Sequence, residues 1–147
     1  MMNIEVAQNY ILSKLESELD PTLFYHGVHH TLDVVQTALT IAYEENVTDA
    51  ESLDLLRTAA LYHDCGFLVT YKGHEAAGCD IAQNVLDEFG YTHAQIATIC
   101  GLIMSTKVPQ SAATHLEKIL CDADLDYLGR ADFKSIGETL YLELEER

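Results

Sequence analysis

The chain has no tryptophan, only two prolines and only eight basic residues in a length of 147. Pro21 and Pro109 punctuate loops and leave long stretches between them free to be helical. The eight bases face 24 acids, for a net charge of −16. No basic stripe runs along the chain, which excludes a nucleic-acid polymer as partner. A small phosphate substrate stays compatible with this charge where a metal neutralises it locally. No apolar run approaches the roughly 20 residues of a membrane span, so no membrane partner is expected. Met1–Tyr10 carries Glu5 and lacks a basic start followed by an apolar stretch, so it does not read as a secretion signal. Together these point to a cytoplasmic protein. None of the four cysteines forms a C-x-x-C pair, which argues against a zinc ribbon. Cys100 and Cys121 lie in apolar stretches and read as core fillers. Cys65 follows His63-Asp64 directly and reads as a small buried residue.

What is present is helical periodicity. Ile4, Ala7, Ile11, Leu12, Leu15 and Leu19 share one face of a first helix that Asp20-Pro21 ends. A second helix is expected from about His29 to Glu45, with Leu32, Val35, Leu39 and Ala42 as its stripe. Thr48, with Glu51 three residues on, is the expected N-cap of a third, which carries Leu53, Leu56, Ala60 and Leu61 toward His63-Asp64. Gly66 stands just beyond as a stop. Further helices are expected over about His74–Phe89, after a Thr92 cap, from about Ala112 to Ala123, and from Phe133 to Glu146 after an Asp132 cap. No segment alternates with the period of a strand. The expectation is an all-α fold of six to seven helices, forming one domain over residues 1–147. The pattern Leu140-Tyr141-Leu142-Glu143-Leu144 is still amphipathic where the chain stops. That predicts a further C-terminal segment or an attached domain. The apolar faces of the first and last helices also allow a homodimer.

Three of the seven histidines fall within Tyr25-His26-Gly27-Val28-His29-His30. His26 and His30, four apart, can share a helical face if that helix starts early enough, whereas His29 is turned about 100° from His30. His63-Asp64 ends an apolar helix, and Asp122 follows Lys118-Ile119-Leu120-Cys121. A carboxylate in either place is costly to bury unpaired, and a metal would offset that cost. Imidazoles and carboxylates drawn from three helices suit a divalent ion such as Mn, Fe, Zn, Co or Mg. Asp124 and Asp126, in the corner leading to Gly129, read as turn and cap residues. Asp33 reads as an acid on a helix face. His93 and His115 read as residues near helix starts. Tyr71, Lys72 and Lys107 are loop residues able to contact a phosphate or a base.

The order His30, His63-Asp64, Asp122 resembles the HD superfamily of metal-dependent phosphohydrolases. The likeness extends to Tyr25-His26-x3-His30-Thr31-x-Asp33-Val34, to Ala59-Ala60-Leu61-Tyr62-His63-Asp64-Cys65-Gly66-Phe67 and to Tyr71-x2-His74-Glu75. It continues in Leu102-Ile103-Met104-Ser105-Thr106-Lys107 and in Cys121-Asp122-Ala123-Asp124-Leu125-Asp126-Tyr127-Leu128-Gly129. These motifs resemble those of one bacterial HD subfamily and span about residues 23–140. The resemblance implies four metal ligands, His30, His63, Asp64 and Asp122. It implies a general acid at His26, where HD-type cyclic-nucleotide phosphodiesterases have one. It also implies a role for His74 at a second metal or at the phosphate, and one for Asp64 in orienting the nucleophilic water. Two departures narrow it. No histidine stands near Ser105-Thr106, where fuller two-metal sites have one. Cys65-Gly66-Phe67-Leu68-Val69 replaces the Glu-Asp pair of (p)ppGpp hydrolases.

The implied activity is hydrolysis of a phosphate mono- or diester of a nucleotide-like small molecule by metal-activated water. The alternative is a regulatory HD module that binds metal and nucleotide without turnover. A purely structural account, with histidines as packing and acids as caps, predicts a protein that retains no metal.

Overall fold

The computed structural model describes all residues, Met1–Arg147. Seven α-helices make up the chain and no strand occurs: α1 (Ile4–Glu18), α2 (Val28–Glu44), α3 (Ala50–Tyr62), α4 (His74–Val85), α5 (His93–Ser105), α6 (His115–Asp124) and α7 (Phe133–Glu145). Short 3-10 turns at Cys65–Leu68, Leu86–Phe89 and Asp126–Gly129 extend or join them. The all-helical expectation holds. No helix is long and apolar enough to cross a membrane.

The central element is α3. Every residue from Thr58 to Tyr62 is buried, and the helix packs against α1, α2, α5 and α6. A helix that is apolar all round its last turns belongs inside a bundle. Its polar tips find partners: the Tyr62 hydroxyl donates to the Ala7 carbonyl at 2.8 Å, and the Thr58 and Tyr91 hydroxyls pair at 2.7 Å. Because α3 is enclosed on all sides, its C-terminal end delivers His63 and Asp64 to the interior.

Local chemistry sets the helix starts, in places differently from the expectation. α3 is capped by Asp49, not Thr48, through a 2.9 Å bond from the Ser52 amide. α6 begins at His115 rather than near Ala112, because Thr114 and Glu117 close a capping box there. Asp132 precedes α7 but makes no capping bond. The buried stripe of α2 is His30, Thr31, Val34, Ala38 and Ala42, while Leu32 is exposed. The small Thr31, Ala38 and Ala42 are the residues that α2 turns toward the core, and that face carries His30 inward with them.

One glycine decides the approach of α4 to this centre. A Cβ on Gly66 would sit 1.7 Å from the His74 carbonyl oxygen. Only glycine lets the turn after Asp64 rest against the first residue of α4.

Candidate metal centre and active site

His63 caps the C-terminus of α3 with no side-chain exposure, and Asp64 follows at 5 %. His30 enters from the first turns of α2 and Asp124 from the last turn of α6. The metal-facing atoms of His30, His63 and Asp124 lie within 4.8 Å of one another. His30 Nε2 is 3.1 Å from Asp124 Oδ1 and 3.4 Å from Asp64 Oδ2. His63 Nε2 is 3.2 Å from Asp64 Oδ2 and 3.4 Å from Asp124 Oδ1. Two imidazoles and two carboxylates therefore converge on one point.

The donor set fits a divalent cation. His63 Nδ1 donates to the Ala60 carbonyl at 2.7 Å, which leaves Nε2 as the nitrogen free to coordinate. That Nε2 and Asp64 Oδ2 are buried and have no hydrogen-bond partner. Both atoms then present lone pairs, and two buried acceptors facing each other are costly unless a cation binds both. Ligands about 2.1 Å from a shared ion stand roughly 3.0 Å apart at octahedral angles and 3.4 Å at tetrahedral ones. The four contacts above fall in that range.

The electrostatics agree. Burial pushes the Asp64 carboxyl up, but His63 and His74 outweigh it and hold the group well below the usual carboxylate range. Asp124 is likewise opposed by burial, yet its bonds to His30 and His63 hold it at about 2. Burial alone would lower the His63 imidazole, and the adjacent carboxylates of Asp64 and Asp124 overcome that and raise it well above its ordinary value. The acids stay ionised and ready to coordinate.

Asp122 is not brought to this cluster. It is exposed on α6, on the face that also carries the exposed His115 and Lys118. The fourth group is Asp124, expected from sequence to be a turn residue. The reason is helical phase: Asp124 lies one turn beyond the buried Leu120, whereas Asp122 lies two residues from it, on the opposite side. Gln110 Nε2 donates to Asp124 Oδ2 at 3.2 Å and steadies the carboxylate.

His74 and His26 flank the cluster. His74 Nε2 lies 3.1 Å from Asp64 Oδ1, so the two oxygens of Asp64 face different imidazoles. The His74 ring stacks on Phe67 at 3.9 Å between centroids. His26 precedes α2 rather than sharing its helix, since Gly27 is the N-cap, yet its ring is 5.6 Å from that of His30 and 6.2 Å from that of His74. His29 turns away and, with Tyr25, Tyr127, Arg130 and Ile136, lines a cleft of about 330 Å³ that His30 and Asp124 also border. Arg130 is held there by Asp33, its Nη1 donating to Oδ1 at 2.9 Å and its Nη2 to Oδ2.

The candidate phosphate contacts are differently placed. The Tyr71 hydroxyl donates to Glu143 Oε2 at 2.8 Å, and Lys72 and Lys107 are exposed. Cys65 is fully buried, and burial pushes its thiol up, out of nucleophilic range. Glu143, which no sequence signal singled out, is fully buried beside His26.

Residues 27–126 match the family described as HD domain. Among solved structures, the chain is similar to a predicted HD superfamily hydrolase from an uncultured Thermotogales bacterium. That likeness has a TM-score of 0.72 and 26 % identity, and it covers 93 % of this chain and 75 % of the other. A search of curated proteins found no match.

Proposed function

This chain belongs to the HD domain family, and on that premise we propose that it is a metal-dependent phosphohydrolase acting on a phosphate mono- or diester of a nucleotide-like small molecule. The observation that carries the reading is the buried pair His63 Nε2 and Asp64 Oδ2, both without a partner and both at the point where His30 and Asp124 converge. His30, His63, Asp64 and Asp124 would hold one divalent ion, Mn, Fe, Zn, Co or Mg. Such an ion, when bound, polarises a phosphoryl oxygen and acidifies water near neutral pH.

The remaining steps belong to the chain's own side chains. Asp64 keeps Oδ1 on the His74 side of the site, where it orients the attacking water. His74, held flat against Phe67, binds a phosphate oxygen or helps to hold a second ion. His26 protonates the leaving oxygen. The cleft beside His30 and Asp124 takes the non-reacting part of the substrate. Its walls offer the rings of Tyr25 and Tyr127 and the hydroxyls of Ser135 and Thr139, which suits a nucleoside. Its one arginine is spent on Asp33, so a substrate with a single phosphoester fits better than a polyphosphate.

The test is purified protein loaded in turn with Mn, Fe, Co, Zn and Mg and assayed against nucleotide mono- and diesters. Turnover with at least one metal is expected. No turnover across the panel removes the reading, and tight nucleotide binding by calorimetry without turnover puts a regulatory module in its place.

A further inference from the structure

Glu143 is the only buried residue of α7. It contributes a carboxylate to the core of a helix that otherwise lies on the surface, and that carboxylate is fully used. Oε1 accepts from the Tyr25 amide at 3.1 Å and the His26 amide at 2.8 Å. Oε2 pairs with His26 Nδ1 at 2.6 Å and accepts from the Tyr71 hydroxyl at 2.8 Å. Four donors from two separate loops thus meet one buried acid. A lone buried carboxylate is expensive, but one with four donors is stable and held in one place. Burial favours protonation of Glu143, yet the His26 ring and amide outweigh it and keep the group below its ordinary value.

An ionised carboxylate only accepts, so the bond at 2.6 Å requires the proton on His26 Nδ1. The other ring nitrogen, Nε2, has no hydrogen bond in the structure, and the ring lies 5.6 Å from that of His30 and 6.2 Å from that of His74. We infer that Glu143 is a positioning residue, which holds the Nδ1–H and the orientation of His26 so that the proton the imidazolium gives up to the leaving oxygen at the cluster is the one on Nε2. The inference rests on the phosphohydrolase reading and adds to it the residue that makes His26 an acid. As the P–O bond breaks, its electron pair goes to the departing oxygen, which takes the Nε2 proton of the imidazolium. The ring is left neutral with Nδ1–H still on Glu143, and Nε2 recovers a proton from solvent.

Two measurements, one on Glu143→Gln and one on Glu143→Ala, both checked for folding by circular dichroism, decide it. The first compares the Mn-loaded wild type and variant on p-nitrophenyl phosphate, whose phenolate leaves unaided, and on a nucleoside 5′-monophosphate, whose alkoxide needs a proton. The nucleotide-to-aryl ratio of kcat should fall by roughly 10–100-fold with KM little changed. An equal loss on both esters would make Glu143 merely structural and overturn the inference. The second is the tautomer of His26, read by nitrogen NMR of the metal-free wild type and of Glu143→Ala. Nδ1–H is expected in the wild type and a mixture in the variant. A neutral wild-type ring protonated on Nε2 with Nδ1 bare, or identical spectra, overturns the inference. If the Mn-loaded wild type turns over neither, the same comparison is made on an aryl and a nucleotide ester with the metal found active in the panel above; a wild type inactive across that panel defeats the hydrolase reading instead, and the NMR result then decides the seating of His26 by itself.

Discussion

His63 donates its Nδ1 proton to the carbonyl of Ala60, three residues back along the chain, at 2.7 Å. A carbonyl only accepts, so every charge state of this imidazole keeps a proton on Nδ1 and differs only at Nε2. The residue therefore offers either a coordinating lone pair or a second N–H to the Asp64 and Asp124 carboxylates, and metal and proton compete for one atom.

That competition has a measurable sign. In the metal-free protein burial disfavours the His63 cation, but the Asp64 and Asp124 carboxylates prevail and raise the imidazole well above its ordinary value. Metal uptake at neutral pH should release about one proton. Calorimetry in buffers of different ionisation enthalpy checks this, and a buffer-independent heat would contradict it. For stability, a raised folded value means that the contribution of His63 is fully present below the unfolded imidazole value and lost as pH rises through the folded one. The melting temperature of the metal-free protein should fall as pH rises above neutrality. That of the metal-loaded protein should rise over the same range, because binding tightens as the proton leaves.

Asp124 and Asp122 give a pair of variants on one helix. With Asp124 as a proposed ligand rather than a supporting group, Asp124→Asn should weaken metal binding by at least about 100-fold. Asp122→Asn, exposed on the outer face of α6, should leave metal content unchanged and stability within about 0.5 kcal/mol. Elemental analysis after dialysis, with thermal melts, reads both. Metal loss in Asp122→Asn together with retention in Asp124→Asn would reverse the assignment.

Much of this centre was legible because it is built on helix ends. His63 and Asp64 follow an apolar run and end buried at the terminus of α3, where periodicity and burial cost both pointed. Asp124 was legible in principle. Extending the buried face of α6 from Leu120 by one turn reaches Asp124, while Asp122 falls with Lys118 on the wet side. Reading the apolar run Ile119-Leu120-Cys121 as a block, rather than by phase, led to Asp122, which the structure leaves outside the cluster. In α2 the error was of another kind. Leu32 is larger than Thr31 or Ala38, yet close packing of helices favours the small residues, and the stripe lies on the latter. Glu143 was not legible at all. It lies 117 residues from His26, and in Leu140-Tyr141-Leu142-Glu143-Leu144 it reads as the polar member of an amphipathic helix. Only tertiary structure turns it inward.

The close approach of Gly66 to His74 makes a backbone prediction. Gly66→Ala would place its Cβ 1.7 Å from the His74 carbonyl oxygen, a backbone atom that cannot yield without moving α4. Overpacking of this kind costs about 3 kcal/mol, or roughly 6–12 °C in melting temperature at this chain length. Since His74 shifts with α4, its 3.1 Å contact with Asp64 should be lost as well. Calorimetric melting checks the first effect. An unchanged melt would mean that the turn after Asp64 is looser than its packing indicates.

Glu143 makes a prediction about acid stability that is separate from turnover. Burial favours the neutral acid, but the His26 and Tyr71 donors win and hold the folded carboxyl below the unfolded value of 4.5. A lowered folded value means that its contribution is fully present above the unfolded value and is lost as pH falls through the folded one. The neutral amide of Glu143→Gln cannot titrate, so the variant lacks this contribution at every pH. The gap in melting temperature between wild type and variant should be widest near neutrality and should close as pH falls below about 4.5. Because His30, His63, Asp64 and Asp124 are present in both proteins, the difference isolates Glu143. A gap that is constant with pH would mean that the carboxylate is not ionised in the fold, and that His26 Nδ1 is held by something other than charge.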